Sequence, residues 1–243
     1  MRQLSPVLSL RGATKRFGGL VAVNAIDFDV EEHTVMGLIG PNGSGKSTTL
    51  NLISGALKPT AGEISLSGVP ITGMAAEKIT RKGVSRTFQL VRLLPSMTVE
   101  ENVVAGAVFG HRRRWGDEAR FHAEALLDRL GLAEHMHQPV GSLTYIDQKR
   151  LELARALASE PEVLLLDEWL AGLNPTELQM GIELVAELRS EGRTIILVEH
   201  VMDAIRSLCD RCVVMNSGAK IAEGTPSDVL ADSEVIRAYL GDE

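Results

Sequence analysis

The sequence predicts an α/β fold in which a parallel-sheet core carries a small antiparallel β part and an inserted helical subdomain. Three observations lead there. The early apolar runs Val7 to Leu10, Ile26 to Val30 and Ile64 to Leu66 are short and separated by Gly-rich turns, which suits a small, partly antiparallel sheet. From about Thr98 the apolar spacing becomes helical. After residue 160, the runs Val163 to Leu166 and Thr194 to Val198 flank another helical pattern, the strand-helix-strand signal of a parallel sheet. With no internal repeat or low-complexity linker, residues 1–243 read as a single domain, with 1–88 and 161–243 as its core and 89–160 as the helical subdomain.

Each element has its own local reason. Val35 to Ile39 is a short apolar run that stops at glycine, and Ser47 to Leu57 is compatible with a helix. Thr98 with Glu101 three residues on is a capping-box arrangement, and Asp117 to Leu130 carries apolar residues at helical spacing before Gly131. Thr144 with Asp147 can cap a helix through Lys149 to Leu157. For the helix between the last two strands, Thr176 with Gln179 is the expected cap.

Composition narrows the function classes. The 25 Lys and Arg against 32 Asp and Glu give a net charge of −7, which argues against nonspecific nucleic-acid binding. A hydrophobic fraction of 44% with 23% charged residues is that of an ordinary globular protein, so disorder is excluded. The apolar runs fall far short of the ~20 residues needed to cross a bilayer, and the first residues lack an apolar secretion signal, so a cytoplasmic location is expected. Cys209 and Cys212 have no second pair or flanking His for zinc, and they are expected to pack where a helix end enters a buried strand. His135 and His137 lack a third ligand nearby and read as surface. The basic run His111 to Trp115 reads as a solvated loop, with contact to lipid headgroups or a membrane partner as the alternative.

The chemistry concentrates in the loop Gly40, Pro41, Asn42, Gly43, Ser44, Gly45, Lys46, Ser47, which matches G-x-x-x-x-G-K-[ST] between an apolar strand and a helix-compatible run. Glycines at that spacing let successive backbone N–H groups converge on phosphate oxygens, and the helix start adds its positive dipole end. Lys46 then neutralises β and γ phosphates, and Ser47 ligates Mg²⁺. Asp167 and Glu168 end an apolar strand, and their side chains alternate in direction, so Asp167 can meet Mg²⁺ through water while Glu168 polarises an attacking water. His200 follows a third such strand; in a parallel sheet, ligands collect at the carboxyl ends, where Gly40, Asp167 and His200 can converge.

In this order the motifs resemble those of the ATP-binding subunits of ABC transporters, over essentially the whole chain. Gly40 to Thr48 resembles the Walker A loop, Gln89 the Q-loop glutamine, and Leu143 to Asp147 the signature segment. Asp167 and Glu168 resemble Walker B with its catalytic glutamate, Ala171 to Asn174 the D-loop, and His200 the switch histidine. Arg86 to Asn102, Leu170 to Pro175 and Val235 to Gly241 are similar to the branched-chain, or hydrophobic, amino-acid uptake group. The resemblance implies an ATPase that binds ATP and Mg²⁺. The metal falls to Ser47, Gln89 and Asp167, the catalytic roles to Glu168, His200 and Lys46, and adenine stacking to Phe17, for which an ordinary core position is the alternative. Thr144 and Asp147 would complete the site of a second subunit, either a companion ATPase or another copy.

It further implies two transmembrane permease subunits, indirectly an external substrate-binding protein, no nucleic acid, and a place on the inner face of the cell membrane. Urea-type or lipopolysaccharide-export ATPases resemble the same group. A mechanical ABC ATPase of DNA maintenance or translation would need a coiled-coil insertion or second cassette, for which the length leaves no room. A small-molecule P-loop kinase would leave Gln89, the signature-like segment and His200 unexplained. Departures fall at the signature, which reads Leu143-Thr-Tyr-Ile-Asp147 where Leu-Ser-Gly-Gly-Gln is usual, and at Trp169 and Asn174, where Pro and Asp are common. Both signature glycines are lost, and the β-branch of Ile146 restricts close backbone approach and is costly if the position needs a positive φ, so slow turnover at the site this segment completes, and an asymmetric dimer, are expected.

Overall fold

In the computed structural model, which describes residues 6–240, two sheets share one sandwiching core. Strands β1 (Pro6–Phe17), β2 (Leu20–Glu31), β4 (Ala61–Leu66) and β5 (Val69–Pro70) form a sheet in the order β2-β1-β4-β5, with antiparallel neighbours. Strands β3 (Val35–Ile39), β6 (Val84–Arg86), β7 (Val163–Asp167), β8 (Thr194–Val198), β9 (Arg211–Asn216) and β10 (Ala219–Gly224) form the other, in the order β10-β9-β3-β8-β7-β6. Its neighbours are parallel except for β10 against β9.

The helices are α1 (Lys46–Ile53), α2 (Ala76–Lys82), α3 (Val99–Phe109), α4 (Gly116–Arg129), α5 (Tyr145–Ala158), α6 (Pro175–Ser190), α7 (Met202–Leu208), α8 (Pro226–Ala231) and α9 (Ser233–Leu240). None of the described helices is long and apolar enough to cross a membrane.

The period-two geometry of the central strands explains why the parallel sheet is covered on both faces. Along β7, Val163 and Leu165 join the core beneath the antiparallel sheet, with Leu8, Leu10 and Phe28, while Leu164 and Leu166 join the core beneath the helices. A strand buried on both sides must read as an unbroken apolar run, which is how Val35 to Ile39 and Thr194 to Val198 read. By contrast, β1 and β2 each extend to 12 residues, well beyond their apolar runs, because only one face is consistently buried and bulges interrupt their register.

Helices α3, α4 and α5 pack on one another. The crossing of α3 over α5 is close: a Cβ at Gly106 would lie 2.2 Å from the Arg155 carbonyl oxygen, so a larger residue forces the helices apart.

The caps of α3 and α5 form where expected. Thr98 and Glu101 make the reciprocal capping box, and the Thr144 oxygen accepts from the Asp147 N–H. The cap expected at Thr176 is corrected to Asn174, whose side chain accepts from Glu177 N–H at 3.0 Å while the Glu177 carboxylate accepts from Asn174 N–H at 3.0 Å. Pro175 decides this, since its fixed φ suits the first helical position and holds the preceding residue extended. Helix α1 is also shorter than its helix-compatible run, ending at Ile53 before Gly55 turns the chain with φ +74°.

Cys209 and Cys212 pack as the sequence suggests, both free thiols at the end of α7 and within β9. A Cβ on Gly37 of β3 would meet their sulfurs at 3.0 and 2.8 Å. His137 is exposed and His135 half-buried. In the basic run, Arg112, Arg113 and Trp115 are exposed, while Arg114 pairs with Glu160 and Glu118.

Candidate active site

Strands β3, β7 and β8 run parallel, so Gly40, Asp167–Glu168 and Glu199–His200 all leave the same edge of the sheet. The loop after β3 depends on its glycines. Gly40 has φ +146°, and a Cβ there would lie 2.1 Å from the Met215 carbonyl oxygen; Gly45 has φ +105°, with the Ala22 carbonyl 2.5 Å from where its Cβ would be. Neither position admits a side chain. Lys46 opens α1, and its buried ammonium donates to the carbonyl oxygens of Gly40 and Pro41, each at 2.9 Å. Burial pulls its pKa down, and the nearby Glu168 and Asp167 oppose that.

A cavity of about 690 Å³ lies over this loop, lined by Asn42, Gly43, Gly45, Lys46, Ser47 and Thr48 together with Ala22, Gln89, Glu168 and His200. Pro41 is half-buried at the start of the loop, and Ser44 is buried within it. The two carboxylates part as their alternation requires. Asp167 turns into the protein, where Oδ2 accepts from Arg86 at 2.9 Å and Oδ1 is buried without a partner among the described residues. Burial raises its pKa and the Arg86 charge opposes that rise. Glu168 turns to the cavity, where Oε2 accepts from the Gln89 amide at 2.7 Å and Oε1 lies 3.0 Å from His200 Nε2. Glu168 holds φ +51°, a strained conformation for a residue with a side chain.

The residues fit Mg²⁺. The unpartnered Asp167 Oδ1 is a hard oxygen donor, and the Ser47 hydroxyl and Gln89 amide line the adjoining cavity. Among the described residues no group of three or more His, Cys, Asp or Glu is placed to hold a metal alone, so phosphate and water oxygens would supply the other ligands.

Gly40, Pro41, Ser44 and Asp167 sit behind the cavity lining, whereas Thr144, Asp147 and Phe17 belong to other parts of the surface. Thr144 and Asp147 sit exposed and half-buried at the start of α5, where the Thr144 hydroxyl donates to the Asp147 carboxylate at 2.6 Å. Phe17 is 46% exposed at the end of β1 with the Lys15 ammonium over its ring, which rules out a core position. Ile146 lies within α5 and has no positive φ, so the positive-φ reason for expecting slow turnover falls away. Its side chain lines a surface depression with Trp169, Met180 and Leu184.

Sequence reasoning missed four charged residues that support the site. Arg86 donates to Asn51 and Ser54 as well as Asp167, tying β6, α1 and β7 together. Lys149, Glu152 and Glu199 are almost wholly buried. Lys149 and Glu152 share one side of a helix whose neighbours Leu151, Leu153 and Ala154 are also buried, and a charged pair on an inward helix face was the available signal.

The family model described as ABC transporter matches residues 23–171, a span that holds the Lys46 loop, Gln89, the signature-like segment and both carboxylates. The chain belongs to the ABC transporter family of ATP-binding subunits. A second model, described as branched-chain amino acid ATP-binding cassette transporter, matches residues 219–243 of this ABC ATPase. It is 43% identical to the high-affinity branched-chain amino acid transport ATP-binding proteins LivG of Salmonella typhimurium and BraF of Pseudomonas aeruginosa, over 98% of this chain and of each relative.

Among solved structures, the ADP conformation of an ATP-binding cassette of an ABC transporter superposes with a TM-score of 0.87 at 30% identity, covering 98% of this chain and all of that one. A dimeric post-hydrolysis cassette bound to ADP and Pi gives 0.81 at 27% identity over 90% of this chain and 98% of that one. The ABC ATPase fold expected from the sequence is therefore the observed one.

Proposed function

We propose that this ABC ATPase energises an importer of branched-chain or other hydrophobic amino acids, working on the inner face of the cell membrane with a second ATPase subunit and two permeases. A substrate-binding protein outside the membrane would deliver the cargo. The names of the LivG and BraF relatives and the match over residues 219–243 support the cargo class. The observation that carries the hydrolytic part is the convergence of Gln89, Glu168 and His200 on the cavity over the Lys46 loop.

In this reading the backbone N–H groups of the loop from Gly40 to Thr48 hold the phosphates, and Lys46 neutralises their charge. Bound Mg²⁺ would draw charge from the phosphate oxygens, held by Ser47, Gln89 and, through water, Asp167. Glu168 accepts a proton from the attacking water as the new oxygen–phosphorus bond forms at the γ-phosphate and the bond to ADP breaks. His200, hydrogen-bonded to Glu168, senses the γ-phosphate, and Phe17 supplies an exposed face for adenine.

Thr144 and Asp147 lie outside the chain's own cavity and at a helix N-terminus, which supports their serving the γ-phosphate of a facing subunit. The dimeric form of a related cassette supports the same arrangement. Residues 89–160 form the part that meets the permease. A mainly apolar cleft of about 350 Å³, bounded by Phe88, Leu94, Gly106 and Phe109 with Arg86 and Arg155, is suited to a short permease helix, with exposed Leu90 close by in sequence.

The test replaces Glu168 with Gln in the assembled complex. ATP binding is expected to persist while turnover falls at least a hundredfold, and normal hydrolysis would end the assignment. Labelled-leucine uptake in cells carrying Lys46→Ala, with Ile, Val, Phe and urea as competitors, checks the cargo. Uptake unchanged by the variant would reject it.

A further inference from the structure

The side chains that meet in the cavity, Gln89 and Glu168, stand on two loops with no regular structure of their own, and both loops are gripped by one helix. Lys149 is 2% exposed, yet among the described residues no carboxylate lies within hydrogen-bond reach of its ammonium. Nζ instead donates to three backbone carbonyls of the segment after β7: Ala171 at 2.6 Å, Trp169 at 2.9 Å and Glu168 at 3.5 Å. The Trp169 indole returns a hydrogen bond to the Lys149 carbonyl at 3.2 Å. Tyr145, one turn earlier on α5, covers the ammonium with its ring at 5.2 Å. Burying a charge without an ionised partner in contact is costly, and the carbonyl cage is what this one obtains in return.

One turn along the same helix face, Glu152 does the matching job on the other loop. Its Oε2 accepts from Phe88 N–H at 3.0 Å and its Oε1 from Arg92 N–H at 2.8 Å, bracketing Gln89. The segment after β7 is held from its other side too, where Glu199 accepts from Leu170 N–H at 2.6 Å. A left-handed, non-glycine residue such as Glu168 persists only where its surroundings over-determine it.

We infer that Lys149 and Glu152 are positioning residues, which fix the Glu168 and Gln89 loops to α5 and so hold the catalytic carboxylate against its amide partner. Helix α5 also begins at Thr144, which in the proposed dimer faces the other subunit's nucleotide, so the two half-sites of one chain are joined through a single rigid element. This rests on the reading of Glu168 as the base. Among the described residues neither one hydrogen-bonds to the Lys46 loop, so the loop's own hold on the phosphates is expected to survive their replacement.

The experiment measures steady-state ATPase kinetics on complexes purified through this chain from its host membranes, comparing wild type with Lys149→Met, Glu152→Gln and Glu168→Gln. Expected is a kcat at least tenfold lower for Lys149→Met and severalfold lower for Glu152→Gln, with the KM for ATP within threefold of wild type in both. Should Lys149→Met fail to assemble, Lys149→Gln, which keeps a shorter donor able to serve only part of the cage, takes its place with an expected severalfold loss of kcat and the same unchanged KM. A kcat within twofold of wild type, or a loss carried by KM instead, overturns the inference. If Glu168→Gln is inactive while the positioning variants are normal, this inference alone fails; if Glu168→Gln hydrolyses normally, the base assignment fails first.

Discussion

Replacing Glu199 with Gln tests how the buried charges behind the site are balanced. Glu199 is 1% exposed; its Oε1 accepts from Leu170 N–H, and Oε2 has no partner among the described residues. The groups facing it are the N–H of Leu170 and of His200, which favour the carboxylate, the Lys149 charge, which does the same more weakly, and Glu168, which opposes it. Burial outweighs them all and lifts its pKa from 4.5 to about 7. The folded chain therefore keeps this proton up to about pH 7, whereas the unfolded chain releases it near 4.5. Between those values the folded state binds more protons, so stability falls as pH rises through the window and levels off above it.

At about 1.4 kcal/mol per tenfold, the whole gap amounts to about 3 kcal/mol, of which roughly 2 to 3 fall between pH 5 and pH 8. Gln keeps the acceptor for Leu170 and cannot titrate. Urea unfolding of wild type and Glu199→Gln at pH 5, 6, 7 and 8 should give a stability difference that moves toward the variant by that amount as pH rises. A difference that stays constant within about 0.5 kcal/mol would refute the reasoning, because this carboxyl would then titrate alike folded and unfolded.

Two other substitutions test the scaffold. Asn174→Ala should cost about 1 kcal/mol through loss of the α6 cap, while Thr176→Ala should change stability by less than about 0.5 kcal/mol, both read from urea midpoints. Arg86→Met leaves the Asp167 carboxylate buried without its cation and should destabilise the chain by about 3 to 5 kcal/mol, visible as a lowered thermal midpoint.

Much of the site was legible in the sequence because its parts are local. The Lys46 loop has a fixed spacing imposed by backbone N–H convergence, and two of its glycines occupy positions where a carbonyl oxygen leaves no room for Cβ. The strands that deliver Asp167, Glu168 and His200 are buried on both faces, so their apolar runs mark the strand ends to within a residue. Capping at Thr98 and Thr144 is likewise a matter of three or four neighbouring residues. At α6 the same logic picked Thr176 when Pro175 had already committed the start to Asn174.

Long-range contacts were not legible in the same way. Gln89 lies 79 residues from Glu168, and the pairing of their side chains depends on β6 lying beside β7 and on α5 holding both loops. The same is true of Arg86, whose partners come from the end of α1, at Asn51 and Ser54, and from β7, at Asp167. The conformation at Ile146 also needed the structure, since a β-branched residue is costly at positive φ and ordinary inside a helix. Sequence alone determined the family, the phosphate loop and the strand-end carboxylates, because short-range sterics and hydrogen bonding write those into adjacent residues. Only the tertiary structure decided which buried charges hold them in place, because a desolvated Lys149, Glu152 or Glu199 is stabilised by backbone groups that the fold brings from elsewhere in the chain.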